Sequence, residues 1–439
     1  MTMEDSGRIG CPFGPKGSMP ELPTKENLMR PKTLLSPLVL LLAVTAAGAD
    51  DAVPGPGGQT SPPWNTDTPN LLFQPSSSDP TWTVRADYLL WWIKNGPNPH
   101  PLVTLGTEES EGILGNAGTT VLYGGSGINF GPFSGGRLTA DWHADHCRSI
   151  QFSAFMLEQR SERFATASDD TGIPVITRPV FDVLLGQETG SSVGFPNAFR
   201  GNVAVGSSSQ LWGGELNLLQ DWSCDGCRRV HLILGVRYLE LQEALYVHQD
   251  VTILEAGIAG FLGTPVFEPT RMWINDGFET QNRFYGAQIG GQTRIDLGSL
   301  SVDLIGKVAF GWTQQILSLT GSTTSLGQPE PIGVAPGGLL CLPSNIGRHD
   351  ETVFAIVPEI TLTANYCIRE NITARIGYTF LYWSDVVRPG EQVNRVVNAE
   401  QVPSSLAYGP LTGPAVPQPS LKSSDFWAMG LHFGLEIRY

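Results

Sequence analysis

Long apolar runs are almost missing from this chain. A membrane helix needs roughly 20 consecutive apolar residues, and only one stretch, Leu34 to Ala46, comes near that length. A bundle of membrane helices is therefore excluded. Charged residues are also scarce, 16% against roughly 25% in soluble domains. Positive charge is the rarer sign, with 27 Lys and Arg against 42 Asp and Glu, a formal charge of −15. Nucleic-acid phosphates require a basic face, so no nucleic-acid partner is expected. There is no Walker loop, no H-E-x-x-H and no G-x-G-x-x-G after a strand. No cofactor and no enzymatic activity are expected.

Glycine and proline are plentiful instead, 51 and 33 residues, which suits many strands joined by irregular loops. The single apolar run follows Arg30 and Lys32 and ends in Ala47-Gly48-Ala49, a small-x-small cleavage pattern. Residues 1–49 are read as a signal-peptide region. Translation is expected to start at Met29, giving a leader over 29–49, and peptides found upstream of Met29 in native protein would rule that out. An uncleaved anchor is disfavoured because the run is shorter than a spanning helix requires. Residues 50–81, rich in Pro, Gly, Ser, Thr and Asn, predict a flexible lead-in.

From Trp82 onward the chain alternates with a period of two, the mark of strands with one apolar and one polar face. The last segment is the clearest. Trp427, Met429, Leu431, Phe433, Leu435, Ile437 and Tyr439 share one face, and Ala428, Gly430, His432, Gly434, Glu436 and Arg438 share the other. The segments from Ile372 and from Leu300 behave alike, with Ile305 as the one exception to the pattern. Weaker versions occupy Trp82 to Trp92, Arg137 to Trp142, Ile150 to Met156, Leu211 to Trp222, Val230 to Tyr238, Tyr285 to Ile295 and Ile360 to Tyr366. Trp91, Trp92, Trp142, Trp222, Trp312, Tyr366, Tyr382 and Trp383 lie near segment ends, as interfacial girdles do. Short links at His143 to Arg148, Ser223 to Arg228, Asp296 to Ser299 and Cys367 to Asn371 alternate with long excursions. That asymmetry predicts an all-β fold over 82–439, a closed antiparallel transmembrane β-barrel of about ten strands with short periplasmic turns and long external loops. An even count lets the first and last strands pair and removes exposed edges. Thr119 to Tyr123 and Val251 to Leu254 are candidates for an additional hairpin.

The motifs Arg85-Ala86-Asp87-Tyr88-Leu89-Leu90-Trp91-Trp92, Gly235-Val236-Arg237-Tyr238-Leu239-Glu240-Leu241 and Asn282-Arg283-Phe284-Tyr285-Gly286-Ala287-Gln288-Ile289-Gly290 together resemble the beta-barrel porin family number seven of bacterial outer membranes. The resemblance covers most of 82–439 and implies an outer-membrane barrel with outer-membrane lipid around it, and it brings no catalytic residues. The aromatic end at Tyr439 resembles the signal that such barrels show to the barrel-assembly machinery.

The polar faces carry Arg85, Arg137, Arg237, Arg294, Lys307, Arg375 and Arg438 beside Asp87, Asp141, Glu215, Asp303, Glu359 and Glu436. As lumen-facing residues these either line a pore for small solutes or form ion pairs inside a narrow barrel. A count near ten favours the narrow interior, since open channels appear at roughly 16 strands. Asp141, His143, Asp145, His146 and Cys147 include metal-ligand types, but they span a tight turn and no metal site is expected. Cys224 and Cys227 flank Asp-Gly, a hairpin turn, and are the candidate disulfide; Cys147, Cys341 and Cys367 also remain after leader removal. Gly190-Ser191-Ser192-Val193-Gly194 fits G-x-S-x-G without the strand-turn-helix setting a nucleophile needs. The main expectation is a porin-like or envelope-structural barrel. A surface adhesin or partner-binding barrel working through its long loops is the nearest rival, and an outer-membrane hydrolase a distant one.

Overall fold

A computed structural model of the protein describes residues 82–144, 147–225, 228–327 and 333–439. The leader, the lead-in, Asp145, His146 and Cys227, and with Cys227 the candidate disulfide, lie outside the described residues. Ten strands form a ring: β1 (Trp82–Ile93), β2 (Phe133–His143), β3 (Arg148–Leu157), β4 (Phe199–Asp225), β5 (Arg228–Ile253), β6 (Thr270–Leu297), β7 (Leu300–Leu326), β8 (Gly347–Arg369), β9 (Ile372–Val387) and β10 (Ser423–Arg438). Each pairs antiparallel with the next, and β1 pairs with β10 from Thr83↔Arg438 to Ile93↔Ala428, which closes the ring. The Tyr439 N–H donates to the Trp82 carbonyl at 2.9 Å, so both ends of the ring meet at the side of the short turns.

The period of two decides which face is which. On β5, Leu232, Leu234 and Val236 are exposed while Ile233 and Arg237 are buried. In a barrel this places the apolar side chains outside, against hydrocarbon. Ile305, the sequence exception, keeps the alternation and faces inward with Ile233. An aromatic rung runs around the outside, with Tyr238↔Tyr285, Tyr285↔Trp312 and Trp312↔Phe354 as cross-strand partners. Trp212 joins it, 5.1 Å from the Tyr238 ring. Trp222, Tyr366 and Tyr439 are exposed at the other end. Roughly ten to twelve residues of each strand separate the two levels, close to the span of a tilted transmembrane strand. Leu234, 61% exposed, sits between them. Leu234→Arg is expected to cost about 2–4 kcal/mol in folding titrations into lipid vesicles, and an unchanged midpoint would refute this placement.

Trp91 and Trp383 correct the girdle expectation: both are fully buried inside the ring. The strand lengths correct another. β4 to β8 continue well above the rung, where the outer face turns polar through Arg283, Gln281 and Glu279 on β6 and Gln314, Ser318 and Thr320 on β7. Once the outer face leaves lipid, the apolar register disappears, and these extensions read as loops from sequence.

The tall wall carries a cap. Strands Pro101–Gly106, Thr120–Gly124, Val175–Asp182, Gln187–Gly194 and Val396–Val397, drawn from three of the long loops, make a second sheet. Thus Thr120–Gly124 is a cap strand, and Val251 to Ile253 ends β5. The cap buries Leu102, Val103, Ile176 and Val180 with Val205, Leu245, Phe278 and Leu317 of the wall's inner face. Arg178 and Asp276, both buried, form an ion pair at 2.5 Å across this contact. Asp276 also accepts the N–H groups of Leu339, Leu340 and Cys341 at 2.7–3.0 Å.

One proline decides where the wall leaves the ring. The Ile356 N–H donates to Ser384 Oγ at 3.0 Å, so the even positions of β8 point toward β9. Pro358 has no N–H to offer there, and the β8–β9 ladder begins only at Glu359↔Leu381. Above it, β8 pairs with β7 alone while the end of β9 crosses the inner face of the wall. Trp383 donates to Thr313 Oγ1 at 2.9 Å, Gln315 to the Asp385 carbonyl at 2.6 Å, and Asn282 exchanges two 2.8 Å bonds with Val387. Arg388 ends the crossing in a bidentate pair with Glu243 at 2.6 and 2.7 Å, and it also reaches the Lys94 and Asn95 carbonyls.

Candidate functional site

Because every other residue points inward, the interior is a stack of layers, one residue per strand in each. The layer nearest the turns is polar and paired one to one. Arg85 bonds Asp141, Arg294 holds Asp303 through two bonds at 2.6 and 2.7 Å, and Arg438 reaches Glu436 at 2.8 Å. Gln151 donates to Asp141 at 2.8 Å and Asn365 to Asp303 at 3.0 Å, so both oxygens of Asp141 and of Asp303 are bonded.

The next layer is a four-cornered network. Arg237 lies 2.7 Å from Glu215 and 2.9 Å from Glu359, and Lys307 lies 2.7 and 3.1 Å from the same two carboxylates. Arg237, Lys307 and Glu359 are buried, and the Glu215 side chain is 10% exposed. Arg375 stands 3.7 Å from Asp87. Arg137 has no carboxylate within 4 Å among the described residues; its guanidinium lies over the Trp91 and Phe155 rings, 5.4 and 5.7 Å from their centroids. Thus twelve of the thirteen charged residues singled out from sequence stand together inside the ring, and Arg438, half exposed, stands at its mouth. Sequence reasoning put His432 on the polar face without counting it in the lining, and it missed Gln288 and Asn217, which share the inward parity but carry no charge to mark them.

Above the charges the interior becomes apolar. Leu89, Trp91, Phe133, Leu157, Leu211, Leu239, Phe284, Ala309, Val357, Leu381, Trp383 and Phe426 form one packed cluster to which each of the ten strands contributes. This layer was also missed, although β1 announces it: after Asp87 both faces are apolar through Tyr88-Leu89-Leu90-Trp91-Trp92-Ile93. Little space remains below it. A cavity of about 50 Å³ for water-sized spheres lies among the charged side chains, and a second of about 20 Å³ adjoins Arg137, Arg237 and Phe155.

Other sequence candidates fall elsewhere. Asp141 is committed to Arg85 and Gln151, and His143 Nε2 lies 3.1 Å from Thr83 Oγ1. Among the described residues no group of three metal-ligand types comes together. Gly190 to Gly194 lies in a cap strand, paired with Val175–Asp182; Ser192 is therefore on extended backbone and not at a strand-to-helix turn.

No curated protein matches the chain. Among solved structures it is similar to the outer membrane protease OmpT of Escherichia coli, at 9% identity and a TM-score of 0.36, over 81% of this chain and 97% of that one. It is also similar to an anion-selective porin of Comamonas acidovorans, at 9% identity and a TM-score of 0.17, over 82% and 98%, and to the Ralstonia pickettii toluene transporter TbuX, at 9% and 0.17, over 82% and 89%. Likeness at these scores decides nothing about activity. The sequence of residues 82–439 matches the family described as Putative beta barrel porin-7. With the closed ring, the lipid-facing band and that match over the whole barrel, the chain belongs to this family and is an outer-membrane β-barrel with a porin-like role.

Proposed function

We propose that this porin-like barrel is shut at rest, and that the capped wall is its working surface toward the cell exterior. The carrying observation is the apolar layer supplied by all ten strands. An ion crossing it would lose its hydration with no polar group in exchange, which is prohibitive in a low-dielectric interior. The charged network below it then acts as the buried framework of a narrow barrel and not as the lining of an open channel. Purified protein in a planar bilayer is expected to give no steady conductance in molar salt; stepwise openings of wild-type protein would refute the shut state.

The cap supports the second part of the reading. Loops on a rigid scaffold are where binding resides, and here three of them are joined in one packed sheet held by two buried ion pairs. Export through a cleaved leader, and assembly through a C-terminal strand ending in Tyr439, are part of the same proposal. Catalysis is not, since Ser192 has no nucleophile's setting.

A further inference from the structure

The interior charges do not cancel in the layer beneath the apolar plug. In the layer near the turns each cation has its own carboxylate: Arg85 with Asp141, Arg294 with Asp303, and Arg438 with Glu436. In the layer beneath the apolar plug, Arg237 and Lys307 neutralise Glu215 and Glu359, and Arg375 answers Asp87. Arg137 is left over. Its two ring contacts soften but do not remove a full charge, since a cation–π contact contributes only about 0.5–2 kcal/mol, and the half-buried guanidinium keeps only part of its hydration.

The cavities of about 50 and 20 Å³ are both lined by Arg137, with Glu215 and Glu359, which Arg237 and Lys307 already hold, on their other walls. Two further donors from cations, Arg85 Nε and Arg237 Nη1, are buried without a hydrogen-bond partner among the described residues, as is His432 Nδ1. Asp87 Oδ1, on the wall of the larger cavity, is unpartnered as well, so the space also contains an acceptor that a water molecule would suit. One water requires on the order of 10–15 Å³ by this measure, and about 50 Å³ are present. A monatomic ion with a few waters fits that space. A solute larger than a few water molecules does not.

We propose that the barrel holds a small inorganic anion of the halide type beside Arg137, as a resident counter-ion of the interior network. The site lies on the turn-side of the apolar layer, so an anion enters from the periplasmic end whether or not the barrel ever conducts. Among the described cations of the two charged layers, it neutralises the one without a carboxylate within 4 Å.

Sodium bromide is the probe. The unfolding midpoint of the purified protein in detergent is expected to rise by on the order of 2–4 °C in bromide over isethionate at equal ionic strength. Arg137→Gln is expected to abolish that difference. Crystals soaked in bromide are expected to show an anomalous peak beside Arg137, and this measurement on wild-type protein stands if the variant does not fold. Equal midpoints in the two salts with no anomalous peak would overturn the proposal. So would a bromide effect that survives in Arg137→Gln, since the anion would then sit elsewhere.

Discussion

Replacing Arg388 with methionine is expected to destabilise the cap by about 3–5 kcal/mol, because Glu243 would remain buried with its charge unanswered. Both side chains are almost inaccessible, and the pair joins a loop to the tall wall across 145 residues of sequence. Arg388 also binds the carbonyls at the end of β1, so one side chain ties together the crossing segment, β5 and the rim of the short side. None of the ring's ladders passes through it. The variant should therefore keep heat-modifiable migration of the folded barrel while its external loops become sensitive to protease. Protease resistance equal to wild type would show that the apolar contacts hold the cap unaided. Replacing Glu243 as well, with methionine, should restore much of the loss, since a buried pair exchanged for apolar side chains is often neutral.

The double variant Trp91→Ala with Trp383→Ala tests the plug. Trp91 packs 5.4 Å from Phe155, and Trp383 packs 6.1 Å from Phe284 and donates to Thr313. Each truncation is expected to cost about 3–5 kcal/mol, and together they open the layer directly above the charged cavity. Conductance steps should then appear in planar bilayers where the wild type is silent. If the double variant inserts and stays silent, the barrier lies in the cap and not in the ring.

What the sequence made legible follows from where lipid is. The segments Leu211 to Trp222, Tyr285 to Ile295 and Ile360 to Tyr366 were recognisable because hydrocarbon outside and charge inside enforce strict alternation. The same strands vanished from view above Tyr285 and Trp312, where both environments are polar or protein and alternation has no chemical contrast. Charged interior residues such as Glu215 and Lys307 could be assigned to the inner face from parity alone. Their partners could not, because pairing across a ring depends on stagger between strands that no local pattern encodes. Trp91 and Trp383 misled for a related reason: an aromatic at the upper end of a strand suits an interface equally well on either face, and only parity relative to Asp87 or Thr379 separates the two.

The ring is also mechanically uneven. β5 and β6 are laced from Arg228↔Ile295 to Ile253↔Thr270, whereas the first and last strands are laced only from Thr83↔Arg438 to Ile93↔Ala428. Long ladders buried under a cap open last, and short ones at a rim open first. A neighbour crowding this barrel in the membrane would meet a stiff flank on the side of the wall and a compliant one at the closing seam. Lateral pressure would accordingly be felt first by the strands that carry Arg85, Asp87 and Glu436.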